Sequence, residues 1–99
     1  MSAGFAMQEE KQRRRFRFYG TVQGVGFRWR ARSAAQAVGA TGWVRNEYDG
    51  SVTMELQGTP SQLDRALTLL EGGRFLSIED METQSVPLRE DERGFSTLG

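Results

Sequence analysis

Residues 20–28 read Gly-Thr-Val-Gln-Gly-Val-Gly-Phe-Arg, with three glycines in seven positions and an arginine closing the run. Glycine tolerates backbone angles that a side chain forbids, so such a loop can turn successive N–H groups inward as an anion nest. A helix beginning at its end would add the positive partial charge of its first turn. A phosphate group fits that description. The spacing is not the Walker pattern, because no Gly-Lys-Ser/Thr follows, nor is it a dinucleotide fingerprint, and glycine often serves only to turn a chain. Arg28 adds weight to the anion reading. A cation in the first turn of a helix opposes the dipole by roughly 0.3–1 kcal/mol unless something compensates, and a bound anion would. Its guanidinium could grip two phosphate oxygens while loop amides hold the others. For Arg30 and Arg32 the simpler reading is an exposed arginine whose stem covers apolar surface.

A second constellation is Gly42-Trp43-Val44-Arg45-Asn46, running into Asp49-Gly50. A carboxamide where a strand meets a turn often bonds only its own backbone. In a β-α-β arrangement Asn46 could instead face the anion nest.

Composition narrows the chemistry further. The 99-residue chain contains no cysteine and no histidine. That removes disulfides, thiolate nucleophiles, imidazole bases and the usual zinc ligands, so no metal or cofactor is expected. The net charge is zero, but residues 1–50 carry nine basic and four acidic side chains and residues 51–99 the reverse. From Lys11 to Asn46 there are nine lysines and arginines and no Asp or Glu. An anionic partner would account for this. So would pairing with the acidic second half after folding.

The elements that must position these residues are legible from periodicity. A length of 99 residues, 37% of them hydrophobic, suits one compact domain with a single core. Residues 1–12 lack periodicity and read as a disordered tail, leaving 13–99 as the domain. Over 13–19 Phe16 and Phe18 point one way and Arg15, Arg17 and Tyr19 the other, the period of a half-buried strand. Ala31, Ala34, Ala35 and Val38 recur with helical spacing before Gly39. Runs 41–46 and 52–57 flank an Asp-Gly turn and predict a hairpin, with Val52, Met54 and Leu56 on the core face. Thr59-Pro60-Ser61-Gln62 is a capping box with proline at the first helical position, and helical spacing continues to Gly72-Gly73. Residues 78–86 suggest a fourth strand and 94–98 a short fifth. The order β-α-β-β-α-β implies an α+β, ferredoxin-like split β-α-β domain: an antiparallel sheet with two helices on one face.

The segments 20–28 and 42–46, with Asp49-Gly50-Ser51-Val52, Gly58 and Gly94-Phe95 after them, resemble the two motifs and the closing strand of the acylphosphatase family. The resemblance runs from about Arg14 to Phe95. It implies a cofactor-free hydrolase that cleaves the carboxyl–phosphate bond of small acyl phosphates to a carboxylate and inorganic phosphate. By position, Arg28 would bind phosphate and Asn46 would orient water. The amides of Gln23, Gly24, Val25, Gly26, Phe27 and Arg28 would complete a site that phosphate or sulfate could occupy. Trp29, Arg30 and Arg32 depart from the pattern and lie near the site's rim.

Two other readings compete. Arg13-Arg14-Arg15-Phe16-Arg17-Phe18-Tyr19 interleaves basic and aromatic residues as an RNA-binding ferredoxin-like sheet might, although alternation consigns Phe16 and Phe18 to the core. A non-catalytic regulatory domain is the other, because acylphosphatase-like domains also open larger hydrogenase-maturation carbamoyl-transfer proteins. No run approaches the roughly 20 apolar residues of a membrane span, and residues 1–12 lack a secretory pattern. A cytoplasmic monomer that binds neither nucleic acid nor membrane is the resulting expectation.

Overall fold

The computed structural model of the chain describes residues 10–24, 26–72 and 76–99. Its elements are β1 (Gln12–Thr21), α1 (Phe27–Val38), β2 (Thr41–Asn46), β3 (Val52–Gly58), α2 (Pro60–Glu71), β4 (Ser77–Val86) and β5 (Phe95–Leu98). Of the segment read as a tail, residues 1–9 lie outside the described residues, and Gln12 already pairs with Gly58 at the start of β1.

The strands lie in the order β4-β1-β3-β2-β5. The first four pair antiparallel, as the element order implied, whereas β5 joins β2 in parallel, with Gly42 opposite Phe95. The sheet is therefore mixed at one edge. Gly42 also lets β2 lie close against β3. Its φ of 147° is hard for a side chain to adopt, and a Cβ there would run into the Glu55 carbonyl oxygen.

Period-two alternation sorts the sheet into two unlike faces. Phe16 and Phe18 of β1, Val44 of β2 and Val52, Met54 and Leu56 of β3 form one core with Phe27, Ala31, Ala34 and Ala35 of α1 and Leu63, Ala66 and Leu70 of α2. Both helices thus cover one face, and burial of each large side chain there contributes on the order of 1.5–3 kcal/mol. Phe16 and Phe18 of β1 are core residues, 2% and 0% exposed, which leaves Tyr19 as the aromatic of this stretch outside the core.

The opposite face is closed by charge. Arg13, buried on that side, donates from Nε to Glu55 at 2.6 Å and makes a two-pronged pair with Glu92 at 2.7 and 3.0 Å. Arg15 reaches the other Glu55 oxygen, at 2.7 Å. Burial alone would push the Glu55 carboxyl up, but the hydrogen bonds from Arg13 and Arg15 outweigh it and hold the group below its ordinary value. Gln57 exchanges two hydrogen bonds with the Arg89 backbone, at 2.8 and 2.9 Å. Together these contacts draw the segment after β4 across the sheet and lead β5 to its place beside β2.

Pairing also accounts for four of the nine cations in the basic stretch. Arg17 binds Asp49 and Arg45 binds Glu47, so Arg13, Arg15, Arg17 and Arg45 all meet carboxylates within the chain. Arg28 has no Asp or Glu partner among the described residues. No helix among the described residues is long and apolar enough to cross a membrane.

Candidate active site

The two helices begin in opposite ways. At α2, Thr59 accepts from the Gln62 amide while the Gln62 side chain accepts from the Thr59 amide, and Pro60 needs no partner for a missing N–H. At α1 the N-cap is Gly26, in the left-handed region at φ 77°, with no side-chain cap and no acidic residue in the first turn. The first helical hydrogen bond runs from the Arg30 amide to the Gly26 carbonyl, at 2.9 Å. The amides of Phe27, Arg28 and Trp29 are thus left without an acceptor inside the helix. An unsatisfied helix start beside a cation is the electrostatic signature of an anion site.

Val22, Gly24, Gly26, Phe27, Arg28, Trp29 and Asn46 line one pocket of about 220 Å³ at this helix start. Gly24 and Gly26 have φ of 74° and 77°, which keeps the loop backbone turned as L side chains rarely permit. Of the residues singled out from sequence, Gly24, Gly26, Phe27, Arg28 and Asn46 therefore meet in one place. Val25 lies outside the described residues. The Gln23 side chain turns away from the pocket. Its Nε2 donates to the carbonyl oxygens of Glu47 and Ser51, at 2.7 and 2.9 Å.

Asn46 is the last residue of β2, and the turn that follows is held from several sides. The Glu47 amide donates to Ser51 at 2.8 Å and the Gly50 amide to Glu47 at 3.3 Å. Asp49 accepts from the Ser51 amide and hydroxyl, and Arg17 adds bonds to both residues. These Ser51 hydrogen bonds, seconded by Arg17, keep the Asp49 carboxyl below its usual range. A hydrogen bond from Thr53, helped by Arg45, does the same for Glu47 against the opposing effect of burial. With its neighbours so committed, Asn46 is half-buried at the pocket, and its carboxamide makes no hydrogen bond among the described residues. The guanidinium of Arg28 is steadied from the end of β5 and the residue after it, donating from Nη1 to backbone oxygens of Leu98 and Gly99 at 3.0 and 3.1 Å.

A larger cleft of about 440 Å³ lies on the charged face of the sheet, lined by Arg15, Arg17, Trp43, Arg45 and Glu47 among others. Its arginines already face carboxylates of the chain, and size alone does not make it the reactive site. The smaller pocket combines an open helix start with an arginine that has no Asp or Glu partner, and a carboxamide that makes no hydrogen bond, among the described residues.

Sequence reasoning missed two parts of this arrangement. Gln23 was read for its backbone amide alone, yet its side chain joins the loop to the β2–β3 turn. The Leu98 and Gly99 carbonyls could not be found by motif, because backbone acceptors carry no residue signature.

Fold and site together define an α+β domain with a pocket between its first strand and the start of its first helix. The chain belongs to the acylphosphatase family, whose model matches residues 14–97. An acylphosphatase from Rhizobium etli is 38% identical over 94 residues, spanning 94% of this chain and 100% of that one. The crystal structure of acylphosphatase from Bacillus subtilis superposes with a TM-score of 0.82 at 27% identity, covering 91% of this chain and all of the other. A full-length HypF in its phosphate- and nucleotide-bound form also gives a TM-score of 0.82, at 22% identity, over 92% of this chain and 12% of that one. That likeness is one of fold. The family resemblance, the relatives and the two-helix, five-stranded architecture agree, and the chain is a hydrolase acting on acyl phosphates.

Proposed function

We propose that the pocket binds the phosphoryl end of a small acyl phosphate and that Arg28 and Asn46 carry its hydrolysis. The observation behind this reading is that these two residues, from separate motifs, line one pocket at an uncapped helix start. The amides of residues 23–28 and the Arg28 fork hold the phosphoryl oxygens, so that charge developing there meets donors already in place. Asn46 holds a water in line with the scissile bond. The water oxygen bonds to phosphorus, and the phosphorus–carboxyl oxygen bond breaks. The carboxylate leaves with the electron pair, and a phosphoryl oxygen takes the water's proton. A carboxylate is a good leaving group, so the step depends on positioning and electrostatics rather than on a strong general acid. No covalent enzyme intermediate forms, and no cofactor takes part. Inorganic phosphate or sulfate should occupy the same site and compete with substrate. A monomer in the cytoplasm, binding neither nucleic acid nor membrane, completes the reading.

Turnover of acetyl phosphate by Arg28→Ala and Asn46→Ala tests the assignment. Each should fall by about 10²–10³-fold or more, the usual effect of removing a donor that acts in the transition state. Near-normal turnover in either variant removes that residue from the mechanism. Arg28→Lys should fail as well, because an ammonium cannot reproduce the planar fork.

A further inference from the structure

Trp29, Arg30 and Arg32 follow directly on the motif arginine, and the structure gives them different tasks. Arg30 turns away from the site and closes the far end of α2, donating to the Leu69 and Leu70 carbonyl oxygens at 2.7 and 3.3 Å. Arg32 is exposed on α1 and does not line the pocket. Trp29 does line it, while remaining 69% exposed. Its ring neither stacks on another ring nor lies under a cation, and its indole N–H makes no hydrogen bond among the described residues. A side chain that could bury 150–250 Å² is thus left open at the pocket. Helical side chains lean toward the N-terminus of their helix, which inclines this ring toward the loop instead of away from it.

We propose that Trp29 is the platform for the acyl group and biases the site toward acyl phosphates whose acyl part is planar and aromatic. The proposal rests on the phosphoryl-site reading above. With phosphate held by the loop amides and Arg28, the acyl group must project toward the mouth, where Trp29 offers a flat apolar surface. The remaining lining argues against a charged acyl tail, for no carboxylate or lysine lines the pocket and Arg28 is engaged by the phosphoryl group and by β5. A small aliphatic acyl group would reach the phosphate subsite but gain little from the ring. An aromatic one would stack on it.

The test is the ratio of kcat/KM for benzoyl phosphate to that for acetyl phosphate, measured for the native protein, Trp29→Ala, Trp29→Leu and Trp29→Phe. The ratio should fall about three- to tenfold in the Ala and Leu variants, which lose the flat ring, and the Phe variant should keep most of it. The loss should appear chiefly in KM for benzoyl phosphate, as removal of ground-state contact does. The Leu and Phe variants retain apolar bulk, so their comparison decides the matter even if Trp29→Ala folds poorly. An unchanged ratio across the variants, or a Phe variant as impaired as Leu, overturns the platform. A native protein that turns over neither substrate instead overturns the phosphoryl-site reading, together with the proposal built on it.

Discussion

Gln23 donates from Nε2 to the Glu47 carbonyl oxygen at 2.7 Å, and through this bond the glycine-rich loop grips the residue that follows Asn46. The same nitrogen also reaches the Ser51 carbonyl, so both ends of the β2–β3 turn hang on one carboxamide. The spacing between the glycine-rich loop and Asn46 is thus set by a side chain that does not itself line the pocket. Gln23→Glu is nearly isosteric but points carboxylate oxygens at two carbonyls. It should lower kcat on acetyl phosphate by about 10²-fold, the scale of a misplacement near 1 Å. Inhibition by inorganic phosphate should change far less. A variant with native kcat would show that Asn46 keeps its place without the brace.

Among the described residues no carboxylate, imidazole or thiol lines the pocket, and the proposed proton acceptor belongs to the substrate. Between about pH 5 and 8, where such enzyme groups would titrate, kcat should show no step attributable to the protein. Turnover should also persist in the presence of a metal chelator. A bell-shaped kcat profile, or activity lost to chelation and restored by a divalent ion, would contradict the mechanism.

Stability should be acid-sensitive through Glu55. Its carboxyl is held below the ordinary value by Arg13 and Arg15 despite burial, so on acidification the unfolded chain takes up this proton first. The stabilisation is complete above about pH 4.3, the usual glutamate value, and disappears as the pH falls through the lower folded value. Glu47 and Asp49 act in the same sense. Chemical denaturation at pH 7 and at about pH 3 should therefore show a smaller loss of stability in Glu55→Gln than in the native protein. Glu55→Ala at pH 7 should cost about 3 kcal/mol, near the low end for a broken buried pair because Arg13 retains Glu92.

The caps of α2 should separate stability from activity. Thr59→Ala removes one side of the capping box and should cost about 1 kcal/mol. Arg30→Ala removes the donors at the other end of the helix and should cost about 0.5–1 kcal/mol. Neither residue lines the pocket, so kcat/KM on acetyl phosphate should stay within about twofold of native while the denaturation midpoint shifts. A large loss of activity in either variant would mean that α2 is mechanically coupled to the site.

The element types and most boundaries were legible because local signals there agree with tertiary need. The α2 capping box, the Asp49-Gly50 turn and the Phe16/Phe18 alternation each report a preference that packing then reinforces. The N-terminal limit of β1 was harder to see. Gln12 is a strand residue only because Gly58 stands opposite it, and that partner comes from elsewhere in the chain. The parallel pairing of β5 was equally hidden, since a four-residue strand carries no mark of the direction of its neighbour.

By itself the sequence determined that this chain has a glycine-rich loop ending in an arginine, a second motif ending in an asparagine, and no imidazole or thiol for either to rely on. These are properties of residue type and spacing, and they point to an anion site and exclude thiol and imidazole chemistry. Only the tertiary structure decided which of the nine clustered cations meet carboxylates and which of the others stands at a pocket. Arg13, Arg15, Arg17 and Arg45 look in sequence as available as Arg28, but Glu55 on the neighbouring strand meets the first two, Asp49 and Glu47 of the β2–β3 turn meet the others, and no Asp or Glu among the described residues meets Arg28. The structure likewise directed Gln23 to the turn and Trp29 to the pocket. Charge and type are local properties, whereas the partners of Arg13, Arg15 and Arg17 are set by which strands and turns the fold brings together.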